Sequence, residues 1–235
     1  MDSKIQNNII YFFIFLFLIL NAGFFKTYLI HFPDFKDFNM SHHFHGMVAM
    51  SWILLLNAQA FLIRKKKYSI HRNVGKLSYI IMPLFLVSLF FVTKTGYDRA
   101  LANTGSVVEA IASTSNGFPD IIYMTLLYIL AMVNRKHAGK HMRYMIFTGI
   151  TMLGPGLGRL LIVAFGIPVP IAIISMLGTF FIIGVIWLIA DLKAKKSPLP
   201  LSVFLFTITF SFACNAGNHS DLYQKAAGIF TKWFF

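Results

Sequence analysis

Charge is what this chain has least of. Charged side chains make up 12% of its 235 residues and hydrophobic ones 57%, where a soluble domain carries about 25% charged residues. The deficit runs along the whole length, so it points to lipid as the solvent and not to one large soluble core. Cysteine is nearly absent. Cys214 stands alone, which excludes an internal disulfide and any paired-thiol chemistry. Acids are scarce as well, and Glu109 is the only glutamate. A carboxylate-bridged di-iron oxidase or an HExxH metalloprotease needs acids beside its histidines and is disfavoured. No GxSxG elbow, Walker loop or Rossmann fingerprint occurs. The paired histidines of a two-haem four-helix cytochrome are missing too, because the second apolar stretch offers His45 and Gln59 instead.

What is there in quantity is apolar stretches of membrane-crossing length. Seven are readable, at residues 9–25, 45–63, 77–92, 120–133, 144–165, 171–190 and 199–213. The expected fold is all-α: one polytopic domain over 1–235, a bundle of seven transmembrane helices. The first stretch is too long for a signal-peptide core and no small-x-small site follows it, so it reads as a retained helix. Residues 93–119, rich in Gly, Asn, Ser and Thr, read as an outer loop, with one or two helical turns at 106–113. Pro119–Asp120 reads as a helix start with an acidic N-cap.

The cations alternate from gap to gap. Arg64, Lys65, Lys66, Lys67, Arg72 and Lys76 fill one gap, Arg135, Lys136, Lys140 and Arg143 a second, and Lys193, Lys195 and Lys196 a third. With Lys4 these are fourteen of the 21 cations. Lys26, Lys36, Lys94, Arg99, Lys225 and Lys232 lie on the other side, and Arg159 lies inside a stretch. Positive charge stays on the cytoplasmic side of a membrane. That places the N-terminus inside and the C-terminus outside, in a multi-pass protein of a bacterial cytoplasmic membrane. Of the acids, Asp2 and Asp191 fall inside and the other six outside. The pI near 9.9 is therefore a topology signal. Nucleic-acid binding is not expected, since the basic gaps hug membrane ends and suit anionic lipid. In the tail, Leu222, Ala226, Ile229, Phe230 and Trp233 share a helical face flanked by Lys225 and Lys232, the pattern of a helix lying in the outer interface.

Polar groups inside a bilayer are costly, and so they are the functional candidates. His45, Trp52 and Gln59 recur every seven residues and line one face of the second span, with Gln59 about 21 Å deeper than His45. Each can equally be interhelical hydrogen-bond glue. Arg159 follows Gly154, Pro155, Gly156 and Gly158, a segment that expects a kinked helix beside a cation. Such a place fits an anion or a cofactor carboxylate, or else a snorkelling arginine beside a packing face. At the inner rim His71, His137 and His141 could serve as ligands for zinc, copper or haem iron, or face lipid headgroups.

The order of these motifs is familiar. "GFFKTY", "HFHGMVAMSWILLLNAQAFLI", "HRNVGK" and "HMRYMIFTGITMLGPGLGRLL" resemble a family of bacterial multi-pass membrane proteins of unknown function, over roughly residues 20–165. The "HMRYM" stretch is similar to the His-Lys-Lys-Leu-Met stretch of a small membrane protein family linked to maturation of haem–copper oxidases, with Met142 where that motif has lysine. That resemblance implies a link to haem or metal chemistry and no catalytic role.

Three readings follow. The first is a haem- or metal-handling redox or maturation protein, with His45, His71, His137 and His141 as metal ligands and Arg159 on a cofactor carboxylate such as a haem propionate. By the charge rule His45 lies across the membrane from the other histidines, so two sites or one inner site is the coherent version. The second is a small-solute or lipid transporter or receptor whose outward pocket, for an anionic or lipidic ligand, is lined by the His45, Trp52 and Gln59 stripe, the broken fifth span and Arg159. The third is an accessory subunit, with a membrane protein or a second copy of itself as partner. Whether the chain is an enzyme is left open.

Overall fold

The computed structural model describes residues 3–36 and 38–235, without the side chains of residues 3–5. Asp2, Asp37 and the Lys4 side chain, counted in the charge balance above, lie outside the described residues. The architecture is all-helical, with seven segments long and apolar enough to cross a membrane. Their cores are α1 (Ser3–Phe25), α2 (Met40–Arg64), α4 (Ser78–Thr104), α6 (Gly117–Val133), α7 (Ala138–Arg159), α8 (Val169–Lys193) and α9 (Leu199–Ala216). Three shorter helices, α3 (Tyr68–Gly75), α5 (Val107–Ala112) and α10 (Asp221–Phe234), lie between or after them. Helices suit a membrane because each N–H and C=O in hydrocarbon must be satisfied within the protein, and a helix does so within one segment.

The central element is α7. It packs against α1, α6, α8 and α9, and 56% of its most apolar stretch is buried, against 22–39% for the other six. Around it α1 pairs with α2, α2 with α4, α4 with α6, and α8 with α9. Close approach to α7 depends on small residues. A Cβ added at Gly23 of α1 would strike the backbone of Gly156, so two glycines let these helices touch backbone to backbone, as tight membrane packing favours. On another side Phe147 stacks on Phe204 of α9, ring centroids 4.4 Å apart.

Several boundaries differ from the sequence reading. The segment 93–119 is not a loop. Helix α4 continues through it to Thr104, for 27 residues and about 40 Å. The Lys94–Asp98 pair, four residues apart at 2.7 Å, supports the extra turns. The stop comes at Gly105, whose left-handed φ of 66° suits a helix C-cap. Asp120 is not an N-cap. Helix α6 starts at Gly117, and the Asp120 amide already bonds the Asn116 carbonyl. Pro155 lies inside the helix of the fifth span. The helix runs through it to Arg159 and then widens into a π turn at Leu160–Ala164. The second span begins at Met40, where the Asn39 side chain accepts from the His42 amide and the His42 ring reaches back to Asn39, a reciprocal cap. Helix α3 was not expected at all.

Cross-links fix the relative heights. Tyr128 of α6 donates to Ser78 of α4 at 3.0 Å, and Gly117 of α6 abuts Thr93 of α4. The last turns of α4 therefore overshoot α6. Helices α5 and α10 pack round this overshoot, through Ile111, Cys214, Tyr223 and Ala227 and through Phe90 with Phe230, Phe234 and Phe235. Helix α10 has two faces. Tyr223, Ala227 and Thr231 turn inward. Leu222, Ile229 and Trp233 are 81%, 63% and 79% exposed, the outward apolar stripe of an interfacial helix. Phe230, placed on that stripe by the sequence reading, belongs to the packed face.

Candidate functional site

The polar residues predicted from sequence separate into an outer group, a sealed middle and an inner group. In the middle, Trp52 is fully buried. Its Nε1 donates to Thr148 Oγ1 of α7 at 3.3 Å, and its ring meets Tyr128 of α6 edge-on. Trp52 thus ties α2 to both neighbours. Gln59 lies one layer further in. With its amide set so that every group is satisfied, it donates to His71 Nδ1 and to the His71 carbonyl, and accepts from the Gly75 N–H. Its three contacts clamp the short α3 to α2.

That clamp defines the inner histidines. His71 Nδ1 accepts from Gln59, so the His71 proton resides on Nε2. His141 Nδ1 bonds the Ala131 carbonyl at 2.8 Å; it must donate there, which leaves Nε2 with a free lone pair. The two rings are within electrostatic reach of each other. Only His141 therefore presents a ready ligand atom. His137 is the exposed N-cap residue of α7 and makes no side-chain capping bond. Among the described residues no three His, Cys, Asp or Glu side chains converge as a metal site requires.

Beside this group lies an ion pair that the sequence reading missed. Arg143 of α7, counted there as one more inner cation, donates from Nε and Nη2 to the two oxygens of Asp191 on α8, each at 2.8 Å. Both side chains are buried. Lys196 stands 3.7 Å from the same carboxylate. A planar guanidinium matched to both carboxylate oxygens is the strong form of such a contact.

The outer group is the candidate site. His45, near the outer end of α2, bonds Ser88 of α4 at 3.0 Å through Nδ1 and stacks on Phe85. Its Nε2 is left for another partner. Arg159, at the last α-helical position before the π turn, stacks on Phe24 of α1, 4.3 Å from the ring centroid. One Nη bonds the Pro155 carbonyl at 3.2 Å. Among the described residues Arg159 has no carboxylate partner, and it keeps an exposed surface. It is close enough to His42 and His45 to act on both electrostatically, and Arg99 of α4 also acts on His42. His45 and Arg159 thus share the outer end of the bundle within electrostatic range of each other, while Gly154, Gly156 and Gly158 serve packing against Met176 and Leu20.

The loop before α2 packs on His42 and His43. Tyr28 shares a 2.5 Å hydrogen bond with His43 Nδ1 and packs its ring on Phe35 and Phe38. Burial pushes the Tyr28 hydroxyl up from its ordinary value, so it holds its proton. His42, His43, Tyr28 and Arg99 were not singled out from sequence. The run "HHFH" just ahead of the second span was the available signal, since consecutive histidines at a helix start reach different neighbours.

Chemically, the outer group offers cationic and neutral N–H donors in a partly desolvated place, a setting in which an anion is held far better than in water. Protein-family models, curated proteins and solved structures yield no match to this chain.

Proposed function

We propose that this is a multi-pass protein of a bacterial cytoplasmic membrane that takes a small anionic solute, such as a carboxylate, from the outer side at Arg159, His42 and His45. The observation that supports this most is an arginine inside a span, without a described carboxylate partner, beside two histidines. A lone intramembrane cation is costly and marks a ligand or ion pathway. Arg159 supplies fixed charge, His45 a ring N–H or lone pair held by Ser88, and the aromatic loop a cover. Trp52 and Gln59 hold the helices that frame this place and do not touch the ligand. The test is thermal unfolding of the purified protein against a panel of small carboxylates, phosphate and uncharged amides. An anion at about a hundred times its Kd stabilises by about 2.7 kcal/mol, and Arg159→Leu removes that gain while Arg135→Leu keeps it. Stabilisation by no anion, or equal gains in both variants, sinks the reading.

A second reading, haem or metal handling at the inner rim, draws support from the free Nε2 of His141 and its electrostatic reach to His71 between two basic gaps. An optical spectrum with metal analysis of the purified protein tests it. A haem Soret band lost in His141→Ala would favour it over the outer anion site.

A further inference from the structure

The outer surface carries a second place of opposite character, a cleft of about 530 Å³ between the overshooting end of α4, the α5 turn, and the outer ends of α8 and α9. That size is ordinary for a ligand pocket. One wall is apolar and open to lipid: Val169 and Ile174 of α8 and Phe212 of α9 are 51%, 57% and 44% exposed. The other end is polar. His219 Nε2 meets Glu109 Oε1 at 3.1 Å and its Nδ1 meets Asn218 Oδ1 at 2.7 Å. Glu109 and His219 are the ionisable side chains of the lining, which contains no lysine or arginine. The Asn116 side chain and the Asn218 amide nitrogen, at the same end, bond no described residue.

We propose that this cleft seats an outer-leaflet phospholipid with a primary-amine headgroup. The assignment comes from matching charge and shape. The chain's only glutamate faces the amine, whose N–H groups need an acceptor. The two asparagine amides supply N–H donors for the phosphate next to it, while His219, with both ring nitrogens engaged, holds Glu109 and Asn218 in place. The acyl chains run down the Ile174 and Phe212 wall, which is continuous with the lipid-facing surface of α8. An anionic headgroup without an amine would bring a second negative charge against Glu109 in a lining without lysine or arginine. This site is independent of the anion site at Arg159, which lies toward α1 and α2.

The experiment is native mass spectrometry of the detergent-purified chain, given equal amounts of phosphatidylethanolamine and phosphatidylglycerol. An exposed ion pair corresponds to about a two- to fivefold preference, so retention of the amine lipid should exceed that of the glycerol lipid by that factor. Glu109→Gln should bring the ratio to one, and Ile174→Trp should lower retention of both by filling the apolar wall. Glycerophosphoethanolamine, which has the headgroup and no chains, should not be retained. Circular dichroism checks that each variant is folded, and the wild-type competition decides the matter without them. Equal retention of the two lipids, or a preference that survives Glu109→Gln, overturns the proposal; retention of the chainless headgroup overturns its lipid part.

Discussion

Arg143 on α7 and Asp191 on α8 grip each other through two 2.8 Å bonds inside the protein, and this pair joins the central helix to the α8–α9 pair. Removing one partner strands the other charge. Asp191→Asn or Arg143→Met alone should destabilise by about 3–5 kcal/mol, whereas the double change to Met and Leu should recover most of it. Unfolding in mixed micelles measures this. Single variants as stable as the wild type would mean that water reaches the pair.

Gln59 should matter locally and not globally. Its three contacts to α3, at about 0.6 kcal/mol each in a membrane, are what Gln59→Leu removes. Amide exchange across Tyr68–Gly75 should quicken by about tenfold or more, with α2 and α4 unchanged. Uniform acceleration along the chain would contradict a clamp confined to α3.

Gly23 offers a steric test. A methyl there meets the Gly156 backbone, which has no soft end to move aside. Overpacking of this kind costs about 1–3 kcal/mol, so Gly23→Ala should lower the thermal midpoint. Gly96, whose added Cβ meets nothing, is the control: Gly96→Ala in mid-helix should leave stability level or raise it.

Tyr223 predicts an alkaline limit. Burial pushes its hydroxyl up to about 12, with Thr114 as partner. The folded protein therefore holds this proton where the unfolded chain, with the ordinary tyrosine value of 10.0, gives it up. The stabilisation is full below pH 10 and declines as pH rises from 10 toward 12. Tyr223→Phe should flatten that decline in a pH series of unfolding midpoints; an unchanged slope would assign it to other groups.

Orientation is testable directly. With the basic gaps in the cytoplasm, a reporter attached after Phe235 by a flexible linker should be active in the periplasm and one placed after Lys66 only in the cytoplasm. The reverse pattern would turn the outer and inner sites round.

The spans were readable because hydrocarbon leaves little choice: an apolar run of sufficient length has to be a helix. Where water or protein surrounds the backbone, composition misleads. Residues 93–104 carry Gly, Asp, Arg and Asn and look like loop, yet they continue α4 because α5 and α10 pack on them. Pro155 stands inside α7, which stays helical through it to Arg159. Of the candidate site, the common outer depth of His45 and Arg159 was legible from their places in the second and fifth stretches. The Gln59–His71 clamp was not, since it depends on α3 folding back, and neither was Arg143–Asp191, since no local pattern links residues 48 positions apart.

Helix α7 bears Arg159 at its outer end, and the His141 ring and the Arg143 fork near its inner end, with Tyr144, Phe147 and Leu153 enclosed between them. A rod gripped in this way cannot bend in the middle without opening voids. A ligand that pulls on Arg159 along the helix axis therefore loads the same helix that carries the Arg143–Asp191 bond, with the π turn at 160–164 lying beyond Arg159.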